Sequence, residues 1–185
     1  SVGGPGGVVL TIEPGTTVIF RLDAGLDVGS GGPGRLVADG TSGLITFAGG
    51  DIGVTGGWGG LTFRGPGQST LRHVNLKLCG GLYGTPTPCI ALRDPGTGPA
   101  PTILLDSDSI LGGTTAGLVL EGGARFAPGS RRLYLFGVHG LAASVPLLAA
   151  PDFPVGSEIR TNDIDEVLLV YSVGRVTQSI TLGNP

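Results

Sequence analysis

Residues 34–50 read GRLVADGTSGLITFAGG. Leu36 and Ala38 stand two apart before Asp39-Gly40 ends the run, and Ile45 and Phe47 repeat the pattern before Gly49-Gly50. An apolar residue at every second position is the period of a half-buried strand, and the bounding glycines are turn residues. The same pattern extends outward in both directions. Upstream it recurs in VVLTIEP (Leu10, Ile12), TTVIFRL (Val18, Phe20, Leu22) and AGLDVGS (Leu26, Val28). Downstream it recurs in WGGLTFRG, HVNLKL, PTILL, GLVLEGG, RRLYLFG and EVLLVYS. Helix periodicity is nearly absent; residues 141–150, LAASVPLLAA, come nearest, and Pro146 interrupts them.

Between the strands, Asp39-Gly40 alone has the two-residue signature of a tight hairpin. Elsewhere stand runs such as GSGGPG (29–34), GGDIG (49–53) and GGTTAG (112–117). A longer regularity replaces the hairpins. Segments beginning near Val9, Leu36, Leu61, Ile90, Leu118, Val145 and Val167 recur at intervals of roughly 22 to 29 residues, the mark of a solenoid with one coil per repeat. Each coil contributes two or three short strands stacked in parallel on the next, at about 4.8 Å per layer. The expectation is an all-β, single-domain chain (1–185): a right-handed parallel β-helix of roughly seven coils.

Composition agrees with stacking. The 185 residues include 37 glycines and 14 prolines, a share that taken alone suggests disorder. Yet 40% of residues are hydrophobic and 14% charged, and the mean hydropathy is +0.34, so the chain collapses in water. The glycines therefore belong at corners between buried segments. A net charge of −3 with no basic stripe argues against nucleic acid. No apolar run reaches the roughly 18 residues that span a bilayer. The chain has no Met and opens on SVGGPGG, which reads as a processed product. Cys79 and Cys89 lie in CGGLYGTPTPC, where Gly and Pro can bring the thiols within bonding distance; two free buried thiols are the alternative. A disulfide there points to an oxidising, extracellular or cell-surface location. The two cysteines with His73 and His139 have no zinc-ligand spacing, and no metal or cofactor is expected.

Four segments in order, LTIEPGTTVIF (10–20), GRLVADGTSGLITFAG (34–49), WGGLTF (58–63) and STLRHVNLKL (69–78), resemble the opening coils of right-handed parallel β-helix proteins of the pectate-lyase-like superfamily, its bacterial surface members most of all. The resemblance covers residues 8–80, and beyond them only coil spacing continues it. It implies the fold, and it is shared by polysaccharide-cleaving enzymes and by secreted surface proteins without a reaction.

A lyase of that shape needs a basic residue to take a proton and acids to hold calcium; a hydrolase needs paired carboxylates over one groove. Asp106 and Asp108 in LLDSDSI are the best pair, with Arg72, His73 and Lys77 about one coil earlier. Against this, Asp106 and Asp108 read as outward polar residues of an exposed strand or corner. Motifs built on Asn-Thr-Asp, paired Asp or Gly-His-Gly are missing, and GVHG (137–140) is not one of them. His139 reads as a turn residue, Asp163 and Asp165 as a solvated loop, and Trp58 as a packing residue rather than a sugar platform. The threonine pairs at 16–17 and 114–115 do not recur coil after coil, as an ice-binding ladder would require.

A stacked coil exposes an unpaired layer at each end, and no amphipathic helix signal caps this one, so the expectation is either a slice of a longer parent chain or a homopolymer whose ends meet other copies. Two functions follow. The first is a non-enzymatic extracellular structural protein, self-associating by coil-end stacking into a surface or filamentous assembly. The second is a polysaccharide-binding or polysaccharide-cleaving module built on Asp106, Asp108, Arg72 and Lys77.

Overall fold

The computed structural model of the protein describes residues 1–50, 57–81 and 87–170. In chain order its strands are β1 (Val8–Ile12), β2 (Thr17–Phe20), β3 (Leu26–Val28), β4 (Gly34–Asp39), β5 (Ile45–Gly49), β6 (Leu61–Arg64), β7 (Gly67–Arg72) and β8 (Val74–Cys79). There follow β9 (Ile90–Arg93), β10 (Pro101–Gly113), β11 (Ala116–Leu120), β12 (Arg125–Phe126), β13 (Arg131–Val138), β14 (Leu141–Pro146), β15 (Glu158–Arg160) and β16 (Ile164–Val170). The fold is all-β. Among the described residues a single 3-10 turn, Leu147–Asp152, begins just after Pro146, where the helix-like run has its break. A further run that the sequence reads as strand, VTQSITLGNP (176–185), lies outside the described residues.

Among the described residues every strand pairing is parallel, so no two neighbours form a hairpin. Even Asp39-Gly40 does not make one: β4 pairs with β1 and β7, and β5 with β2 and β8. A six-stranded sheet runs β16-β14-β11-β9-β6-β3. The other sheet has ten strands and is curled into a half-barrel. Its long central strand β10 pairs through its first half with β7 and through its second half with β8, while β12 and β13 lie on its other side.

Parallel register places like positions over one another. Val18, Phe47, Leu76, Ile110, Leu135 and Ile159 form one unbroken column of ladder partners. Leu26, Leu61, Ile90, Leu118, Ala143 and Val167 form a second, in the six-stranded sheet. A third runs Ile12, Ala38, Leu71 and Leu105. The middle members of all three are fully buried, and together they make the core. Each buried Leu or Phe contributes about 1.5–3 kcal/mol. Five of the seven repeat starts read from the sequence, from Leu61 onward, belong to strands of the six-stranded sheet, whereas Val9 and Leu36 lie in the curled one. The spacing was sound, but it joined two ladders.

The bends of the curled sheet use left-handed residues in register, and several are not glycine. His73, Ser107 and Arg132 have φ of 50°, 61° and 53° and follow the ladder partners Arg72, Asp106 and Arg131. The next bend stacks Leu78, Gly112, Gly137 and Thr161, all with positive φ. Left-handed backbone at a residue with a Cβ costs roughly 1–2 kcal/mol, which the surrounding ladder overrides. At Gly140 (φ 137°) no substitution is tolerated in place, because a Cβ there would overlap the Thr115 carbonyl. Gly140→Ala is therefore expected to destabilise the fold by about 3 kcal/mol or more in urea unfolding. Gly129→Ala is the comparison: it shares a positive φ (89°) but has open space around it, so it should lose about 1–2 kcal/mol.

Candidate functional site

The bend at His73, Ser107 and Arg132 gathers most of the ionisable residues singled out in the sequence. Asp39, Arg72, Asp106 and Arg131 are successive ladder partners, so charge alternates from layer to layer. Arg72 Nη1 lies 3.5 Å from Asp39 Oδ2. Arg131 grips Asp106 with both arms of its fork, Nε to Oδ1 at 3.0 Å and Nη2 to Oδ2 at 2.9 Å. Arg132 Nη2 adds a third donor at 2.8 Å, and the Ser107 hydroxyl a fourth at 3.0 Å. Charge-assisted forks of this kind are the stronger class of hydrogen bond. The Arg131 donors, more than Arg132 and Ser107 and against a burial effect of opposite sign, hold the Asp106 carboxyl well below the usual carboxylate range. Asp39 is also lowered, first by the Thr41 hydroxyl at 2.7 Å and further by Arg72.

Asp108 has a different environment. It is completely buried, and its oxygens accept the backbone N–H groups of Val74 and Asp106, both at 2.9 Å. Burial pushes its carboxyl up to about 8 despite those two donors. An outward position on an exposed strand, the reading the sequence favoured, does not describe it. Ser107 turns the chain with φ 61°, so the parity expected of a regular strand fails between Asp106 and Asp108. Asp108 stands in for a ladder carbonyl where β7 breaks into β8.

That role recurs. Ser69 Oγ accepts the Leu36 N–H, Ser130 Oγ that of Leu105, and Ser157 Oγ that of Leu133. Asn162 Oδ1 accepts the Val138 N–H while its amide donates to the Leu135 carbonyl at 2.9 Å. Each partner lies 24 to 33 residues earlier, on the adjacent strand of the ladder. The sequence reading missed all four of these residues. The available signal was a small polar residue two or three positions before a strand's first inward Leu, as in GQSTL and GSRRL.

The four residues of the enzymatic alternative do not share a groove. Arg72 and Asp106 are in register and Asp108 lies beside them, but its carboxyl has no solvent access. Lys77 is exposed beyond the bend, paired with Ala48 and Leu111. A shallow hollow of about 330 Å³ lies at a different corner, lined by Val8, Pro33, Arg35, Pro66 and Gln68 among others, and none of the four borders it. Trp58 is fully buried, stacked 4.4 Å from Phe20 and donating its indole N–H to the Lys77 carbonyl at 2.8 Å. It packs and offers no sugar platform. His139 Nδ1 sits 3.6 Å from Asp163 Oδ1, both well exposed, and Asp165 Oδ1 accepts the Asn162 N–H. Among the described residues no three His, Cys, Asp or Glu side chains converge as metal ligands. Cys79 and Cys89 do form a disulfide, with Cα atoms 5.1 Å apart and both residues wholly buried.

The shift at Asp108 has a definite sign. Between an ordinary value near 4 and about 8, folded Asp108 keeps a proton that the unfolded chain has lost. Its contribution is full below the lower value, falls as pH rises to about 8, and is flat beyond. Asp106 and Asp39 act oppositely, losing their contribution as pH falls below the ordinary range. Asp108→Asn should lower stability by about 1–3 kcal/mol at pH 5, because an amide cannot accept both N–H groups. The variant should also lose the decline between pH 4 and 8, measured by urea unfolding across that range; a slope equal to that of the parent protein would contradict this assignment. No protein-family model matches this chain, and no curated protein or solved structure matches it either.

Proposed function

We propose that the chain is a right-handed parallel β-helix of roughly seven windings, of the kind found in the pectate-lyase-like superfamily. Its role is that of a non-enzymatic building block of an extracellular assembly, joined end to end through its outermost windings. The six strands of the second sheet, all parallel, support one strand per winding. The observation that carries the assembly role is the edge of the stack. β1 and β2 are paired on one side only among the described residues, and Val8, Val9 and Ile19 on them are 43%, 46% and 59% exposed. Leu168 and Val170 of β16, the last strand of the six-stranded sheet among the described residues, are likewise exposed. Unpaired parallel edges flanked by apolar side chains are templates for another strand.

The ionisable groups support a structural role in the same way. Asp106, Asp108 and Arg131 are engaged by one another's layers or by backbone N–H groups, and so are not offered to a substrate. The disulfide supports the extracellular setting, and no helix among the described residues is long and apolar enough to cross a membrane. The polysaccharide alternative gains no common groove from the placement of Asp106, Asp108, Arg72 and Lys77.

Light scattering at rising protein concentration, with negative-stain imaging, tests the proposal. The expected result is rods that lengthen along one axis. Val9→Lys with Ile19→Lys, which charges the β1–β2 edge, should return the protein to monomers with its unfolding midpoint unchanged. A parent protein that remains monomeric at every concentration would overturn the reading.

A further inference from the structure

The runs GGPGG (3–7), GGPG (31–34) and RGPG (64–67) lead into β1, β4 and β7, three successive neighbours in the curled sheet. The hollow of about 330 Å³ lies at this shared corner. Its floor is glycine, Gly6, Gly7, Gly34 and Gly67, so no side chain fills it. A Cβ on Gly34 would overlap the Val2 carbonyl, which keeps that position bare. Pro33, Pro66 and Val8 supply apolar walls. A volume of this size is at the small end of the range for ligand sites.

The border of the hollow carries charge of one sign. Arg35 and Gln68 line it, each two residues before the ladder partners Val37 and Thr70. Both side chains are exposed and leave the outward side, since Leu36 and Ser69 beside them are buried. Arg64, Arg72, Arg93, Arg131, Arg132 and Arg160 each have a carboxylate oxygen within 3.8 Å. Arg35 has none among the described residues, and the Gln68 side chain has no hydrogen-bond partner there. No Asp or Glu lines the space. An unpaired guanidinium fork, an unpaired amide and apolar walls thus border one hollow.

We propose that this hollow binds a small organic carboxylate, its acid group on Arg35 and Gln68 and its hydrocarbon body against Pro33, Pro66 and Val8. The planar guanidinium fork suits a carboxylate by geometry as well as charge, and the Gln68 amide adds a neutral donor. The walls take the apolar part of the ligand out of water. Charge and apolar contact are both required, so an acid with a short hydrocarbon chain is preferred over a bare anion and over the matching neutral amide. The site goes beyond the end-to-end assembly proposed above and does not depend on it, because one chain supplies every residue of the hollow.

Titration with sodium butyrate at constant ionic strength, followed in 15N–1H spectra through the Arg35 Nε–H and the Gln68 side-chain amide, is the test. Both signals should shift together and saturate with a midpoint on the order of 10 mM, with Arg21 unmoved. Sodium acetate should bind at least about threefold more weakly, and butyramide should not saturate. Arg35→Gln should weaken butyrate binding at least about tenfold. Gly6→Leu probes the hollow with Arg35 intact: a Cβ there meets nothing within 4 Å and the backbone is not left-handed, so the added side chain is unstrained. It should weaken binding at least about threefold by occupying the space. Far-ultraviolet circular dichroism checks that each variant is folded. Shifts that never saturate, or that Arg21 shares equally, would overturn the site. So would acetate or butyramide matching butyrate, or a folded Arg35→Gln or Gly6→Leu variant that titrates like the parent.

Discussion

Parallel in-register pairing is the constraint on which everything else in this protein depends. Once each strand's backbone pairs in register with the next, a residue's neighbours on either side are fixed by that register. Apolar residues then share columns with apolar residues, as Phe47 does with Leu76 and Ile110. Charges face charges in the same manner: Asp39, Arg72, Asp106 and Arg131 alternate in sign along one ladder, while Arg64 and Arg93 are like-charged ladder partners in the other sheet.

The bends are where this constraint is hardest to satisfy, because a turning backbone cannot keep every N–H opposite a carbonyl. The protein meets the deficit with short polar side chains that reach across a layer: Ser69, Asp108, Ser130, Ser157 and Asn162. An unmet buried N–H costs about 1–3 kcal/mol, so five such acceptors matter as much as several core leucines. This explains why a completely buried carboxyl is held at the bend. Asp108 does the work of a peptide carbonyl between β7 and β8.

Strand identity was legible in the sequence because alternation is local: Leu36, Ala38, Ile45 and Phe47 announce β4 and β5 without reference to the rest of the chain. The parallel arrangement was legible from the scarcity of hairpin turns, and the disulfide from the Gly- and Pro-rich stretch between the cysteines. Ladder membership was not. The interval between ladder partners varies from 23 to 35 residues, so a nearly regular spacing could link Leu36 of one sheet to Leu61 of the other. The interior position of Asp108 was hidden for a related reason. A left-handed Ser107 resets the alternation, and serine gives no sign of positive φ as glycine does. Arg131 and Arg132 are distant from Asp106 in sequence, and only the register brings their forks to its carboxylate.

The covalent bridge has a consequence for how the molecule is made. Cys79 and Cys89 have no solvent contact, and the Cys89 sulfur lies directly under the backbone of Gly113, one layer on. Exchange requires a thiolate to approach a sulfur atom, so glutathione or an oxidoreductase reaches these atoms only while that covering layer is open. Oxidation therefore belongs to biosynthesis, ahead of closure. Afterwards the bond is sealed, and it outlasts reducing conditions for as long as the surrounding layers stay shut.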